Sequence, residues 1–332
     1  MRIGLTYDLK ESFAPDGYDP SDALEEYDSR ETVALLTIAI EADGHSVIGL
    51  GGGREFLDNI LRDKVDLVFN IAEGRGNHVG REAQVPSVLE MLDIPYSGSG
   101  PQCLAICLDK PLTKQLVAAA AVPTPHWQVV SNSGNISGCK LNFPAIIKPA
   151  NEGSSKGIRG SSLVNDRTEA IANMTGLLDS YRQPMMIEEF IPGDEITVGI
   201  IGNNPPRVFG VMQVLPREQD VNFVYSLEVK RDYLKLVDYE CPAYLDEKTL
   251  SRLTAASLTA FTTLGCRDFA RLDFRISPDG TPYFIEINPL PGLGTHSDLV
   301  IMALKLGWSH EALIAAVLQA AIERQSPHAA AQ

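Results

Sequence analysis

The sequence predicts an α/β protein folded in two or three lobes, each organised around its own sheet. Three observations point there. A chain of 332 residues is longer than a single small core organises. Apolar runs of strand length alternate with helical patterns through the first hundred residues, and the last third carries two strands around a turn. With 44% hydrophobic and 21% charged residues, the composition is that of an ordinary globular chain.

The elements follow in order. Residues 1–7, 45–50 and 65–71 are strand-length apolar runs. Between the first two, Val33, Leu36, Thr37 and Ile40 share one helical face, and a short helix over about 54–63 bridges the next pair. Strand–helix–strand alternation implies a right-handed parallel lobe. No GxGxxG follows the first strand, and Gly51-Gly52-Gly53 reads as a flexible turn. A helix near 82–92 leads to a strand and turn over 94–101. The next helix, 109–121, holds Pro111 in its first turn, and 122–125 (Val-Pro-Thr-Pro) is a rigid connector. A strand (143–149), a Gly/Ser loop (153–157), a helix (168–179) and a strand (185–191) come next. Residues 195–214 alternate as strands, and the polar, aromatic-spotted stretch 216–242 reads as a flap over a site. A helix (247–264) and a hairpin of strands 268–276 and 282–288 around Pro278-Asp279-Gly280 complete the reading.

A net charge of −15 argues against nucleic-acid and anionic-membrane partners, so an anionic ligand needs a locally basic pocket. The start, Met-Arg-Ile-Gly-Leu-Thr-Tyr, has no signal-peptide pattern, and no run approaches the roughly 20 apolar residues of a membrane span. A cytoplasmic protein is expected. The five cysteines, Cys103, Cys107, Cys139, Cys241 and Cys266, form no CxxC pair and read as ordinary thiols in a reducing compartment.

Chemistry concentrates in three segments. On the hairpin, Arg271 and Asp273 point one way, as do Glu286 and Asn288, leaving Leu272, Phe274, Ile285 and Ile287 for packing. Two carboxylates and an amide suit octahedral Mg²⁺; a surface salt-bridge ladder would give the same pattern. The Gly/Pro loop 289–297 that follows can turn N–H groups towards an anion. In the second segment, Lys148 ends an apolar strand ahead of Asn-Glu-Gly-Ser-Ser-Lys-Gly157. Such a loop can wrap a triphosphate while the lysine neutralises it, although a plain turn has the same composition, and the order is not that of a Walker A loop. Third, Glu188, Glu189 and Glu195 flank a connector, where carboxylates can accept from an adenine amino group and a ribose or simply face solvent.

Taken together, the segments resemble the ATP-grasp superfamily, and within it the D-alanine–D-alanine ligase group. The matching residues are Leu89–Ser99, Asp109-Lys110, Lys148–Ser155, Glu188-Glu-Phe-Ile191 with Glu195, Arg271-Leu-Asp273, and Glu286-Ile-Asn-Pro-Leu-Pro-Gly292 with Ser297. They span nearly the whole chain. The resemblance implies three lobes, over 1–105, 106–192 and 193–325, with ATP bound between the second and third. It implies that Lys110, Lys148 and Lys230 hold the phosphates under Ser154 and Ser155, that Glu188, Glu189 and the Ile191 backbone read adenine, and that Glu195 takes the ribose. Asp273, Glu286 and Asn288 would bind two Mg²⁺ ions, with Mn²⁺ a possible substitute. Arg271 and the Gly292 amide would stabilise a tetrahedral intermediate, and Ser297 would hold the acceptor carboxylate. The implied reaction joins a small-molecule carboxylate to an amine through an acyl phosphate, and a homodimer is compatible with it.

The chain departs from the group's pattern at the substrate end. The N-terminal glycine-rich signature is missing, and Glu31, opening the first helix, stands in for its ammonium-binding glutamate. The family's His-Gly segment becomes Glu73–Glu82, bringing Arg75 and Arg81, and the flap's lysine–tyrosine pair reads Lys230-Arg231. With Glu73, Arg81 and Arg231 as substrate contacts, a larger acidic substrate or a specialised-metabolism acceptor is favoured over D-alanine dimerisation. The family's own D-alanine–D-alanine ligation is the alternative. A non-catalytic nucleotide-binding protein is disfavoured because the whole metal set is present.

Overall fold

The first strand, β1 (Arg2–Thr6), is buried from Ile3 onward and lies between β2 (Ser46–Gly51) and β3 (Leu67–Asn70) in a parallel sheet of order β2-β1-β3. The computed structural model describes residues 1–14, 20–132, 140–218 and 220–325. Cys139 and residues 15–19 and 219, which fall within the expected thiols, connection and flap, lie outside them. Helix α1 (Arg30–Ala42) starts where the Ser29 side chain accepts the Thr32 N–H at 3.2 Å. It buries Thr32, Leu36, Ala39 and Ile40, a stripe rotated from the expected one, with Val33 and Thr37 at its edge. That rotation turns Thr32 towards the cavity described below. Each fully buried Leu or Ile in this stripe contributes about 1.5–3 kcal/mol. After α2 (Gly53–Arg62), residues 94–96 add only a bridge, Tyr96 to Val68, rather than a strand. The three glycines before α2 are tightly packed: a Cβ on Gly52 would lie 2.1 Å from the Asp8 carboxylate. The next helix is α3 (Gln84–Met91), and α4 (Pro101–Leu108), which the sequence reading left out, then leads into α5 (Lys110–Ala119).

The second sheet is antiparallel, of order β4-β7-β5-β6: β4 (Trp127–Val130), β5 (Ala145–Pro149), β6 (Leu163–Val164) and β7 (Met185–Glu189). Helix α6 (Arg167–Tyr181) covers one face. The third sheet, also antiparallel, is β10-β9-β8-β11-β12: β8 (Asp194–Ile201), β9 (Arg207–Pro216), β10 (Val237–Glu240), β11 (Phe269–Ile276) and β12 (Pro282–Asn288). The expected flap contains α7 (Leu227–Arg231) and α8 (Tyr233–Leu236) before β10.

Helix α9 (Glu247–Thr263) packs on this sheet, and two helices absent from the sequence reading, α10 (Asp298–Lys305) and α11 (His310–Gln325), close the chain. Gly199 and Gly210 face each other across β8 and β9, where a Cβ on either would meet Met302 of α10 within 2.9 Å. Leu313, Ile314, Val317 and Leu318 of α11 complete the core under β1 and α1, so the last helix seals the first sheet. Among the described residues no single helix is long and apolar enough to cross a membrane.

Candidate active site

Alternation along β11 places Arg271, Asp273 and Arg275 on one face, and pairing with β12 sets Asp273 opposite Glu286 and Arg271 opposite Asn288. The expected packing face fails at one residue. The register shifts between Asp273 and Phe274, so that Phe274 pairs with Phe284 and Ile285 is the extra residue. Ile285 therefore lines the cavity beside Glu286 instead of joining the core.

That cavity is a cleft between the second and third sheets, lined by Lys148, Ser155, Glu188, Glu189, Ile191, Glu195, Lys230, Asp273 and Glu286 among others. Tyr225 and Lys230 also line a wider neighbouring chamber, whose wall includes Ser154, Arg271, Asn288, Gly292 and Ser297. Ser154 and Ser155 both hold positive φ (51° and 57°), the backbone form that turns successive N–H groups to one side.

The cations are held by carboxylates. Lys110 Nζ lies 2.6 Å from Glu286, and Arg271 reaches Asp273 at 2.9 Å and Asp298 at 3.3 Å. Lys148 is bonded to one oxygen of Glu188, and Lys114 reaches the other at 2.9 Å. Glu188, expected to read adenine, thus spends both oxygens on lysines and positions them. Lys114 is a component the sequence reading missed; it is buried, and nothing in its local sequence marks it. Arg275 was missed too, although the period-2 rule puts it on the Asp273 face. It binds Glu195, the carbonyl of Gly193 at 2.8 Å and that of Ile191, fixing the connector on which adenine would rest. Glu189 lines the cleft while accepting the Asn142 N–H and amide at 2.9 Å. Lys230 forms no ion pair among the described residues and lies 4.9 Å from the centre of the Tyr225 ring.

Burial alone would raise the Glu286 carboxyl, but Lys110, Lys148, Arg271 and Lys230 outweigh it and hold Glu286 well below the usual range. Asp273 is raised, first by burial, with the Glu286 charge adding to it against Arg271. Two facing carboxylates, one pushed up partly by the other, are a donor set whose repulsion a divalent cation would relieve. Asn288 beside them accepts the Leu290 N–H at 2.9 Å and keeps a second lone pair. These residues fit Mg²⁺.

At the chamber end, Gly292 approaches Ser297 so closely that a Cβ would lie 2.9 Å from Ser297 Oγ. Ser297 is the N-cap of α10, and its side chain makes no capping bond. Two expected substrate contacts, Glu31 and Arg81, are corrected here. Glu31 is exposed and lines neither cavity, because its position on α1 faces solvent while Thr32 faces inward. Arg81 is buried and fully engaged: with Glu26 at 2.7 Å, Glu152 at 3.1 Å and the Asn151 carbonyl at 3.2 Å. Arg231 lines the chamber, half-exposed and 2.9 Å from Glu25. Arg75 is likewise held, 3.0 Å from Asp8 and stacked over Phe13. The chamber wall itself carries carboxylates, Glu73 among them with Asp28. Burial pushes Asp28 up to about 7, and burial with Glu82 and Glu26 nearby pushes Glu73 well above its ordinary value.

The family model described as the D-ala D-ala ligase C-terminus matches residues 116–319. A D-alanine–D-alanine ligase of Aquifex aeolicus is 33% identical over 291 residues, covering 87% of this chain and 94% of that one. Among solved structures, the D-alanine–D-alanine ligase of Bacillus anthracis complexed with ATP superimposes with a TM-score of 0.72 at 23% identity, covering 97% and 98% of the two chains. The VanG D-Ala:D-Ser ligase of Enterococcus faecalis gives 0.71 at 20% identity, covering 96% and 99%.

Proposed function

Because the chain belongs to the D-alanine–D-alanine ligase family of the ATP-grasp fold, and is thereby an ATP-dependent, ADP-forming C–N ligase, we propose that it joins two D-alanine molecules. The observation that carries the reading is that Tyr225 and Lys230 line both cavities, with Arg271, Gly292 and Ser297 in the wall of the second. Of the arginines that favoured an acidic substrate, Arg75 and Arg81 are held by carboxylates away from the chamber lining, which weakens the ground for that substrate.

ATP would lie over the Glu189–Ile191 connector with its phosphates towards Lys110, Lys148 and Lys230 and under the N–H groups of Ser154 and Ser155. Asp273, Glu286 and Asn288 would hold Mg²⁺, which supplies charge neutralisation between phosphate oxygens. Asp28 in the chamber wall would take the ammonium of the first D-alanine, the part expected of Glu31. Its carboxylate attacks the γ-phosphorus, giving an acyl phosphate and ADP. Ser297, at the N-terminus of α10, would hold the second D-alanine by its carboxylate. The amine attacks the acyl carbon, and Arg271 with the Gly292 N–H stabilises the oxyanion before phosphate leaves. One such donor contributes roughly 10²–10³ in rate.

The test is ADP release with Mg²⁺ and single or paired amino acids. D-Alanine alone should support turnover, and L-alanine, D-glutamate and D-aspartate should not. Turnover only with an acidic or L-amino acid would reject D-alanine as substrate. No ADP from any pair, with ATP still bound, would reject ligation.

A further inference from the structure

The cysteines do not stay scattered. Cys103 and Cys107 lie one turn apart on the buried face of α4, and Cys266, in the turn between α9 and β11, meets them there. The Cys103 sulfur is 3.8 Å from that of Cys107 and 3.5 Å from that of Cys266, and all three sulfurs lie within 4.8 Å of one another. The three residues are 4%, 7% and 8% exposed and sit against an apolar shell that includes Val117, Phe261 and Ala270. A metal with sulfur bonds of about 2.3 Å holds its thiolates just under about 4 Å apart, so this triangle needs only a small adjustment. We propose that Cys103, Cys107 and Cys266 form a three-sulfur binding site for one thiophilic d¹⁰ cation, distinct from the ligase chemistry.

The surroundings suit such an ion. Ser99 Oγ accepts the Arg267 N–H at 3.0 Å, which leaves its own hydroxyl hydrogen for a sulfur and its oxygen beside the triangle as a fourth donor. An entering cation replaces the thiol protons, and no oxidant is required. Three thiolates with a divalent ion carry −1 and with a monovalent ion −2; a buried pocket near Arg267 therefore favours Zn²⁺ over Cu⁺. The ion would tie α4 to the start of β11, where the buried Asp268 accepts from Gly98 N at 2.7 Å and from Arg324 at 2.9 Å. Because the ion binds only the folded cluster, occupancy would stabilise the seam between the first and third sheets.

The experiment uses the full chain, reduced with a phosphine and stripped by chelator, titrated with Cd²⁺ as a spectroscopic stand-in for Zn²⁺ and separately with Cu⁺. One equivalent of Cd²⁺ should saturate a sulfur-to-metal charge-transfer band and raise the thermal midpoint. Displacement of the Cd²⁺ band by Zn²⁺ identifies the divalent ion; displacement by Cu⁺ alone identifies the monovalent one. The C266S and C107A variants should each lose the band, whereas C139S and C241S should keep it. Absence of the band in the parent chain, or a band of equal size in C266S, would overturn the site. D-Alanine-dependent ADP release measured alongside reports on the ligase reading separately.

Discussion

Four cations converge on Glu286, and their combined field keeps it ionised despite its burial. Glu286→Gln removes that charge and leaves Lys110 without its partner. Turnover should fall by more than about 100-fold, the scale of losing a charge-stabilising group, in an ADP-release assay on protein shown to be folded by circular dichroism. Asp28 supplies a pH signature. Its carboxyl is raised to about 7, first by burial, so below that pH it is protonated and cannot pair with an ammonium. The kcat/KM for D-alanine should fall as pH drops through about 7, and Asp28→Asn should flatten that limb while lowering the plateau. At Gly292 the constraint is steric. Gly292→Ala places a Cβ 2.9 Å from Ser297 Oγ, and the KM for the acceptor should rise. At this scale the sequence displayed the metal-type residues, because period-2 alternation is local. It could not display the partners of Arg81: Glu26 lies 55 residues away and Glu152 71. An arginine whose three nitrogens are all engaged looks, in sequence, like one that is available.

The phosphate loop shows how an element is set by another part of the chain. Asp22 is buried and accepts from Gly157 N at 3.0 Å, Arg159 at 2.9 Å and the Tyr181 hydroxyl at 2.7 Å. Hydrogen bonds to a charged group are worth about 1.5–3 kcal/mol each, so this acid anchors residues 157–159 against the first lobe. Asp22→Asn should speed amide exchange in the 153–159 segment and raise the KM for ATP, with exchange elsewhere unchanged. Strand and loop were legible here, since Lys148 ends an apolar run and glycine and serine follow it. The anchor was not, because an acidic stretch of the N-terminal region has no periodicity to assign it a partner. The hairpin taught the complementary lesson. Alternation located Asp273 and Glu286, but a bulge adds one residue to β12, and Ile285 changed sides. Helix α10 follows the Gly/Pro loop with Ser297 as its N-cap, and α11 covers the first core.

A chain of net charge −15 binds an anionic nucleotide only if its cations gather in one place. Lys110, Lys114 and Lys148 come from α5 and the second sheet, and Arg271 and Arg275 from the third. Their common focus is the cleft between those sheets. The sheets and the first lobe are also locked together by Arg324 of α11, which binds Asp268 at 2.9 Å and the Tyr96 carbonyl at 2.8 Å. Arg324→Ala leaves a buried aspartate short of its cation and should lower the denaturation midpoint by an amount corresponding to about 3 kcal/mol, with little change in KM for ATP. The fold class followed from the order of strands and helices, whereas the covering of the first sheet by the last helix is a contact across the whole chain that no local pattern encodes. The central claim is that this cleft activates a carboxylate as an acyl phosphate. D-Alanine labelled with ¹⁸O in both carboxylate oxygens, incubated with ATP and Mg²⁺, tests it directly by mass spectrometry of the released phosphate. One ¹⁸O per phosphate formed is the predicted result; unlabelled phosphate, or label recovered in AMP, would contradict it.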